Sequence, residues 1–277
     1  MKKLFTRAIT GGLYVALIIC SLVCESQYLF YAVFLTFIVF GIWEFQSLTD
    51  NKQKNPKLLK FIDVIGGITM FISFSLLAND SNVGIVCLTP YLAYLIIRNI
   101  AQLYIQSTTT LDNWAQSFMG QLFVALPLSF LNFIYFNNPL MLLAIFIFIW
   151  LNDTGAYCVG TLIGKHRLFE RISPKKSWEG FWGGLILCVI SGAAIATWLN
   201  SYFNGPQLYG WIVLAAIVSI FSTWGDLCES LIKRSIGVKD SGKILPGHGG
   251  ILDRIDSLLL VSPTALLFFT ILELISK

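Results

Sequence analysis

Of the chain's 19 Lys and Arg and 15 Asp and Glu, eight fall between Ser230 and Asp256: Lys233, Arg234, Lys239, Asp240, Lys243, Asp253, Arg254 and Asp256. Lys233, Arg234, Lys239, Asp240 and Lys243 precede the turn Pro246-Gly247-His248-Gly249-Gly250, and Asp253, Arg254 and Asp256 follow it. A glycine-rich backbone turns its N–H groups toward an anion, lysine and arginine neutralise it, and spaced carboxylates hold a hard divalent ion. Together they suit a metal-bound phosphate ligand.

Three further segments carry residues of the same chemistry. In Asn152-Asp153-Thr154-Gly155-Ala156-Tyr157, a carboxylate at the end of an apolar run is costly unless it faces a partner or a water-filled cavity. The plain alternative for Asp153 is a helix-terminal hydrogen bond. In Ser173-Pro174-Lys175-Lys176-Ser177-Trp178-Glu179-Gly180, lysines and hydroxyls lead into a helix start, whose unpaired N–H groups suit polyphosphate. The plain reading there is Ser177 as an N-cap with Glu179 in the first turn. In Trp224-Gly225-Asp226-Leu227-Cys228-Glu229-Ser230, Asp226 and Glu229 share a face at i,i+3 if the helix continues through them. Asp253 and Asp256 have the same spacing, so a helix starting near Ile251 would point both the same way. Glu44, within Ile42-Trp43-Glu44-Phe45-Gln46, is an ionisable group at membrane depth whose plain reading is snorkelling or a structural hydrogen bond.

Other chemistries are excluded by spacing. His166 and His248 do not make a zinc site, and no G-x-x-x-x-G-K-[ST] loop is present. The six cysteines lack metal-ligand or disulfide-framework spacing and read as packing residues. Three loops presenting carboxylates and cations instead suggest Mg²⁺ with a nucleoside triphosphate, since Mg²⁺ needs only one or two protein carboxylates beside phosphates and water.

The elements that position these residues are membrane helices. Of 277 residues, 56% are hydrophobic and 12% charged, with a mean hydropathy of +0.74, outside the range of a soluble domain. A span needs about 20 apolar residues. Nine are read, over 10–24, 27–48, 61–78, 83–97, 115–136, 140–157, 181–199, 208–225 and 257–275. With the N-terminus inside, the alternation puts every basic residue except Lys277 on one face, Arg98 among the loop residues, as cytoplasmic loops require. The first run lacks a small-residue cleavage site and is read as a retained helix. The expectation is an all-α polytopic helical bundle with a cytoplasmic N-terminus. Residues 1–110 supply about four N-terminal helices; 111–277 form a catalytic region with inner loops 158–180 and 226–256. Nothing points to nucleic acid.

The run Ser230-x-x-Lys233-Arg234, Lys239-Asp240, Pro246-Gly247-His248-Gly249-Gly250-x-x-Asp253-Arg254-x-Asp256 resembles the signature of the phosphatidate cytidylyltransferase (CDP-diacylglycerol synthase) family. The segments around Asp153 and Lys175 are similar to motifs of the same family. The resemblance implies an integral-membrane enzyme, read as one of the bacterial inner membrane with its site on the cytoplasmic face. It would join CTP to phosphatidic acid with Mg²⁺ and a further monovalent cation such as K⁺, and assembly as a homodimer stays open. By position it implies Asp226 and Asp253 as metal carboxylates with Asp256 beside them. Ser173, Lys175, Lys176, Ser177, Glu179, Asp153, Lys239, Gly249 and Gly250 fall on the nucleotide side. Because the attacking lipid phosphate is already anionic, catalysis should rest on positioning and charge neutralisation. Lys233, Arg234 and Arg254 are then expected on phosphates, with His248 as a hydrogen-bond donor rather than a base. The rival readings are a CTP-dependent polyprenol or lipid kinase and a transporter for an anionic metabolite.

Overall fold

The computed structural model describes residues 2–24, 26–49, 57–80, 84–105, 110–242, 244 and 249–276. His248, Lys243, Pro246 and Gly247 lie outside these, as do Lys277 and most of the 50–60 loop. The protein is a nearly all-helical, polytopic membrane protein. Among the described residues, eight helices are long and apolar enough to cross a bilayer, and Thr10–Val23 forms a shorter apolar helix, so each expected span has a helical counterpart. By packing, the chain divides into two compact units, 1–137 with 235–255, and 138–234 with 256–277. The division expected at 110/111 followed a change in loop chemistry, whereas packing follows which apolar helix faces bury one another.

The first unit holds α1 (Lys2–Val23), α2 (Gln27–Thr49), α3 (Lys57–Asn79), a 3₁₀ turn leading into α4 (Thr89–Leu103), α5 (Thr110–Gly120), a π turn and α6 (Leu126–Asn137). Its apolar core includes Phe30 stacked on Tyr135 with centroids 3.8 Å apart. Its polar core is centred on Asp63 and Arg98, both with 0% of the side chain exposed and 3.1 Å apart. Tyr94 and Gln46 donate to the Asp63 carboxylate. Ser117 Oγ donates to it at 2.6 Å and itself accepts from Arg98. Arg98, expected in an inner loop, therefore lies within α4. A charge whose fork is filled by Asp63, Ser117 and Gln102 can remain inside a helix bundle.

The second unit opens with α7 (Pro139–Ile163), capped by Asn138, whose side chain accepts from Leu140 N. Then come strands β1 (Arg167–Phe169) and β2 (Ser173–Ser177), α8 (Trp178–Ala194), the short α9 (Asn200–Phe203) and α10 (Leu208–Ser235). The antiparallel β1–β2 hairpin is a local addition to the expected helical bundle. It is held by Leu168 and Ile172 packed with Leu227 and Trp224 of α10. The sequence interleaves apolar residues with the charges there, and a two-stranded ribbon separates them onto opposite faces. The inner loop expected from 158 begins later, because α7 continues through Val159 to Ile163. Likewise α10 carries Asp226 to Arg234 as helix rather than loop.

Between the units the chain forms α11 (Leu252–Ile255), in the first, and α12 (Leu258–Ser276), in the second. The helix is interrupted at Asp256 and Ser257, so Asp253 and Asp256 do not share one helical face.

Candidate active site

On α10, Asp226, Glu229, Ser230 and Lys233 follow one another at helical spacing on a common face. Asp256 reaches that face because residue 225 is glycine. A Cβ at Gly225 would stand 2.7 Å from the Asp256 carbonyl oxygen and 3.1 Å from that of Ser257, so the approach to α12 is backbone against backbone. As a result one carboxylate oxygen from each of Asp226, Glu229 and Asp256 lies within 4.8 Å of the others. Two unit negative charges at that separation repel by roughly 3 kcal/mol at an effective dielectric of about 20, so the three together call for cations. Lys233 pairs with Glu229 one turn away, and Lys176 Nζ lies 2.7 Å from Asp226 Oδ2. Ser230 Oγ donates to Asp226 Oδ1 at 3.1 Å, and Ser257 N donates to Asp256 Oδ1 at 2.6 Å. Carboxylate oxygens in this number and proximity could hold a metal ion.

Lys176 also lines a cavity of about 220 Å³, together with Lys175, Ser177, Asp153, Asn152 and Thr223. Ser177 caps α8, accepting from Gly180 N at 3.1 Å, as the plain reading expected. Glu179, in that first turn, accepts from the backbone N–H of Lys165 and His166 and meets His166 Nδ1 at 2.6 Å. It thereby ties the entry of the hairpin to the start of α8. Asn152, 2% exposed, accepts from Ser219 Oγ at 2.7 Å and donates to Thr223 Oγ1 at 3.3 Å. This ladder links α7 to the stretch of α10 just before Asp226. Arg234 donates from Nε to Ile172 O at 3.2 Å.

In the first unit, the 235–255 segment is organised around Ser241. Asp253 accepts from Ser241 N at 3.0 Å and from Gly250 N at 2.9 Å, and its own N–H donates to Ser241 Oγ at 3.3 Å. Gly249 has φ +86°, a backbone region that favours glycine. Lys239 and Arg254 are exposed, and the Arg254 carbonyl accepts from Tyr14 Oη at 3.0 Å.

The structure thus gathers Asp226, Asp256, Lys176 and Lys233, and brings Ser177, Lys175 and Asp153 to one cavity. In the first unit, Asp253 is hydrogen-bonded to Gly250 and Ser241. Glu229 was legible as the i,i+3 neighbour of Asp226 but was left out of the metal set. Its burial, 1% exposed, was the missing signal. Asn152 and Thr223 were missed because a polar residue inside an apolar span carries no mark of its partner. A Gly225→Ala variant should lower turnover by about tenfold or more and also cost about 1–3 kcal/mol of stability, because its methyl meets backbone atoms of Asp256 and Ser257 that must shift to admit it. Steady-state kinetics alongside a melting curve checks this, and unchanged turnover would remove Gly225 from the site.

A family model described as "Cytidylyltransferase family" matches residues 5–272 of the chain. The chain is 31% identical over 278 residues to a Haemophilus influenzae protein named phosphatidate cytidylyltransferase, covering 93% of this chain and 95% of that one. It is 35% identical over 219 residues to the protein of that name from Staphylococcus epidermidis, covering 76% and 80% respectively. The Staphylococcus aureus protein is 36% identical over 220 residues, with the same coverage.

Proposed function

The chain belongs to the cytidylyltransferase family, and from that membership we propose that it is a membrane-embedded phosphatidate cytidylyltransferase of phospholipid biosynthesis. Its substrates are CTP and phosphatidic acid, and its products are CDP-diacylglycerol and pyrophosphate. The observation that carries the site reading is the meeting of Asp226, Glu229 and Asp256 within 4.8 Å, joined through Lys176 to the cavity at the start of α8.

The reaction makes one bond and breaks one. An oxygen of the lipid phosphate attacks the α-phosphorus of CTP, and the bond from that phosphorus to the bridging oxygen of the β-phosphate breaks. The nucleophile enters deprotonated, so no side chain has to act as its base. The obstacle is repulsion between two anions, and the residues of this chain address it. Lys175 and Lys176 meet the nucleotide's phosphates, and Ser177 fixes the helix start beneath them. The cavity, about 220 Å³, falls below the roughly 300–1,000 Å³ of pockets that enclose whole ligands, so it takes one end of the nucleotide. Asp226, Glu229 and Asp256 would hold a divalent cation such as Mg²⁺. Such an ion would neutralise charge on the nucleotide's phosphates and on departing pyrophosphate.

Asp253 stays a proposed cation ligand, oriented by the amides of Ser241 and Gly250, and a monovalent ion such as K⁺ is proposed as a second occupant. Lys233, Arg234, Lys239 and Arg254 are proposed on phosphates, and His248 as a hydrogen-bond donor to one. The bias of basic residues in the loops supports a cytoplasmic site, and the bacterial relatives support a bacterial inner membrane.

Purified protein in detergent, given phosphatidic acid, Mg²⁺ and CTP labelled at either the α- or the γ-phosphate, tests the reading. The lipid product should carry the α label, and the γ label should leave as pyrophosphate. Lipid carrying the γ label would establish a kinase instead.

A further inference from the structure

Glu44 on α2 is 3% exposed, an expensive place for a carboxylate unless it has a task. Its oxygen Oε2 accepts from Ser241 Oγ at 3.1 Å and from Leu252 N at 2.9 Å. Both partners lie about 200 positions later in the chain, in the segment that leads into Asp253. Two of that segment's residues have no side chain where Glu44 sits. A Cβ on Gly250 would stand 2.6 Å from Glu44 Oε1, and one on Gly242 would lie 3.2 Å from its Cγ. Gly242 and Gly250 therefore leave the space that this carboxylate fills.

The contact continues to Asp253. Ser241, held by Glu44 through its hydroxyl, donates its N–H to Asp253 Oδ2 at 3.0 Å, and the same hydroxyl accepts from Asp253 N at 3.3 Å. A displaced Glu44 releases Ser241 and Leu252, and with them both the backbone and the carboxylate of Asp253. Carboxylates acting on bound ions are commonly oriented by such outer partners.

We propose that Glu44 is a positioning residue that holds Ser241, Leu252 and, through them, Asp253 in the arrangement used for nucleotidyl transfer, acting through its two hydrogen bonds rather than through contact with substrate. The consequence for catalysis rests on the proposed function, whereas the contact itself does not. Because a single oxygen accepts both bonds, the amide oxygen of glutamine can replace it, while alanine cannot.

The test compares Glu44→Gln, Glu44→Ala and Ser241→Ala in the full-length protein in detergent, by kcat and KM for CTP and by hydrogen exchange of amides 250–253. Glu44→Ala is expected to lower kcat by about 10- to 100-fold and to speed exchange at 250–253 by about tenfold. Amides of α3 and α6 should keep their protection. Glu44→Gln should stay within a few fold of wild type in both readouts, and Ser241→Ala should fall between. If glutamine proves as damaging as alanine, the negative charge rather than the hydrogen bonds is the working element, and the proposal fails. It also fails if Glu44→Ala leaves kcat and exchange at 250–253 unchanged. Should Glu44→Ala not accumulate as folded protein, Ser241→Ala decides the matter, with unchanged kcat overturning the proposal. A wild type that makes no CDP-lipid sinks the functional reading instead, and the exchange data then judge the contact separately.

Discussion

Replacing Asp256 by asparagine is expected to lower CDP-diacylglycerol formation by roughly 10²–10³-fold, the scale of losing one preorganised electrostatic partner of a transition state. Asparagine keeps the size of the side chain and its acceptor for Ser257 N, so the effect isolates the charge. With one of three clustered carboxylates neutral, the attraction for a divalent cation falls, and the Mg²⁺ concentration for half-maximal rate should rise together with the fall in kcat. Glu229→Gln should act in the same direction. It also leaves Lys233, paired with Glu229 and 7% exposed, without its opposite charge, so some loss of stability is expected there and not in Asp256→Asn. A Mg²⁺ titration of both variants, with melting curves, separates the two effects. Wild-type turnover and Mg²⁺ response in Asp256→Asn would show that the carboxylate cluster is not the cation site.

Arg98→Met is expected to cost about 3–5 kcal/mol of stability, the usual result of removing one partner from a fully buried ion pair. Asp63 would keep a charge with 0% exposure while losing the guanidinium, and Ser117, Gln102 and the Asn113 carbonyl would lose the donors they share. The double variant Asp63→Leu/Arg98→Met should be less damaging than the sum of the two single changes, because it leaves no uncompensated charge in the bundle. Reversible unfolding in mixed micelles across the four proteins of this cycle measures the coupling. Additive losses would mean that the two charges are stabilised independently of each other.

Much of the architecture was legible because a bilayer imposes a length on each apolar run and a side on each basic loop. The helices α2, α3, α7 and α10 cover the runs read for them, α12 covers all but the first residue of its run, and α8 covers 181–194 of the run 181–199. Errors fell at the interfaces, where apolar character stops being informative. Val159 to Ile163 prolong α7, and Arg167–Phe169 pairs with Ser173–Ser177 as a hairpin because Leu168 and Ile172 have Leu227 to pack against. Arg98 was read as a loop residue because its partner, Asp63, lies 35 positions away on another helix, and no local pattern announces a pair of that kind.

The sequence by itself determined the membrane class, the family through its charged, glycine-rich signature, and the identity of most groups suited to phosphate chemistry. Those properties depend on residue type and near-neighbour spacing, which a linear reading preserves. Only the tertiary structure decided which carboxylates meet. Asp226 and Glu229 gain Asp256 because Gly225 admits the backbone of α12, whereas Asp253, three residues before Asp256, is turned to Ser241 and Gly250 by a break in the helix. It also decided what Glu44 does. A carboxylate's task is set by the donors that reach it, and the donors of Glu44 come from a segment about 200 residues further along the chain.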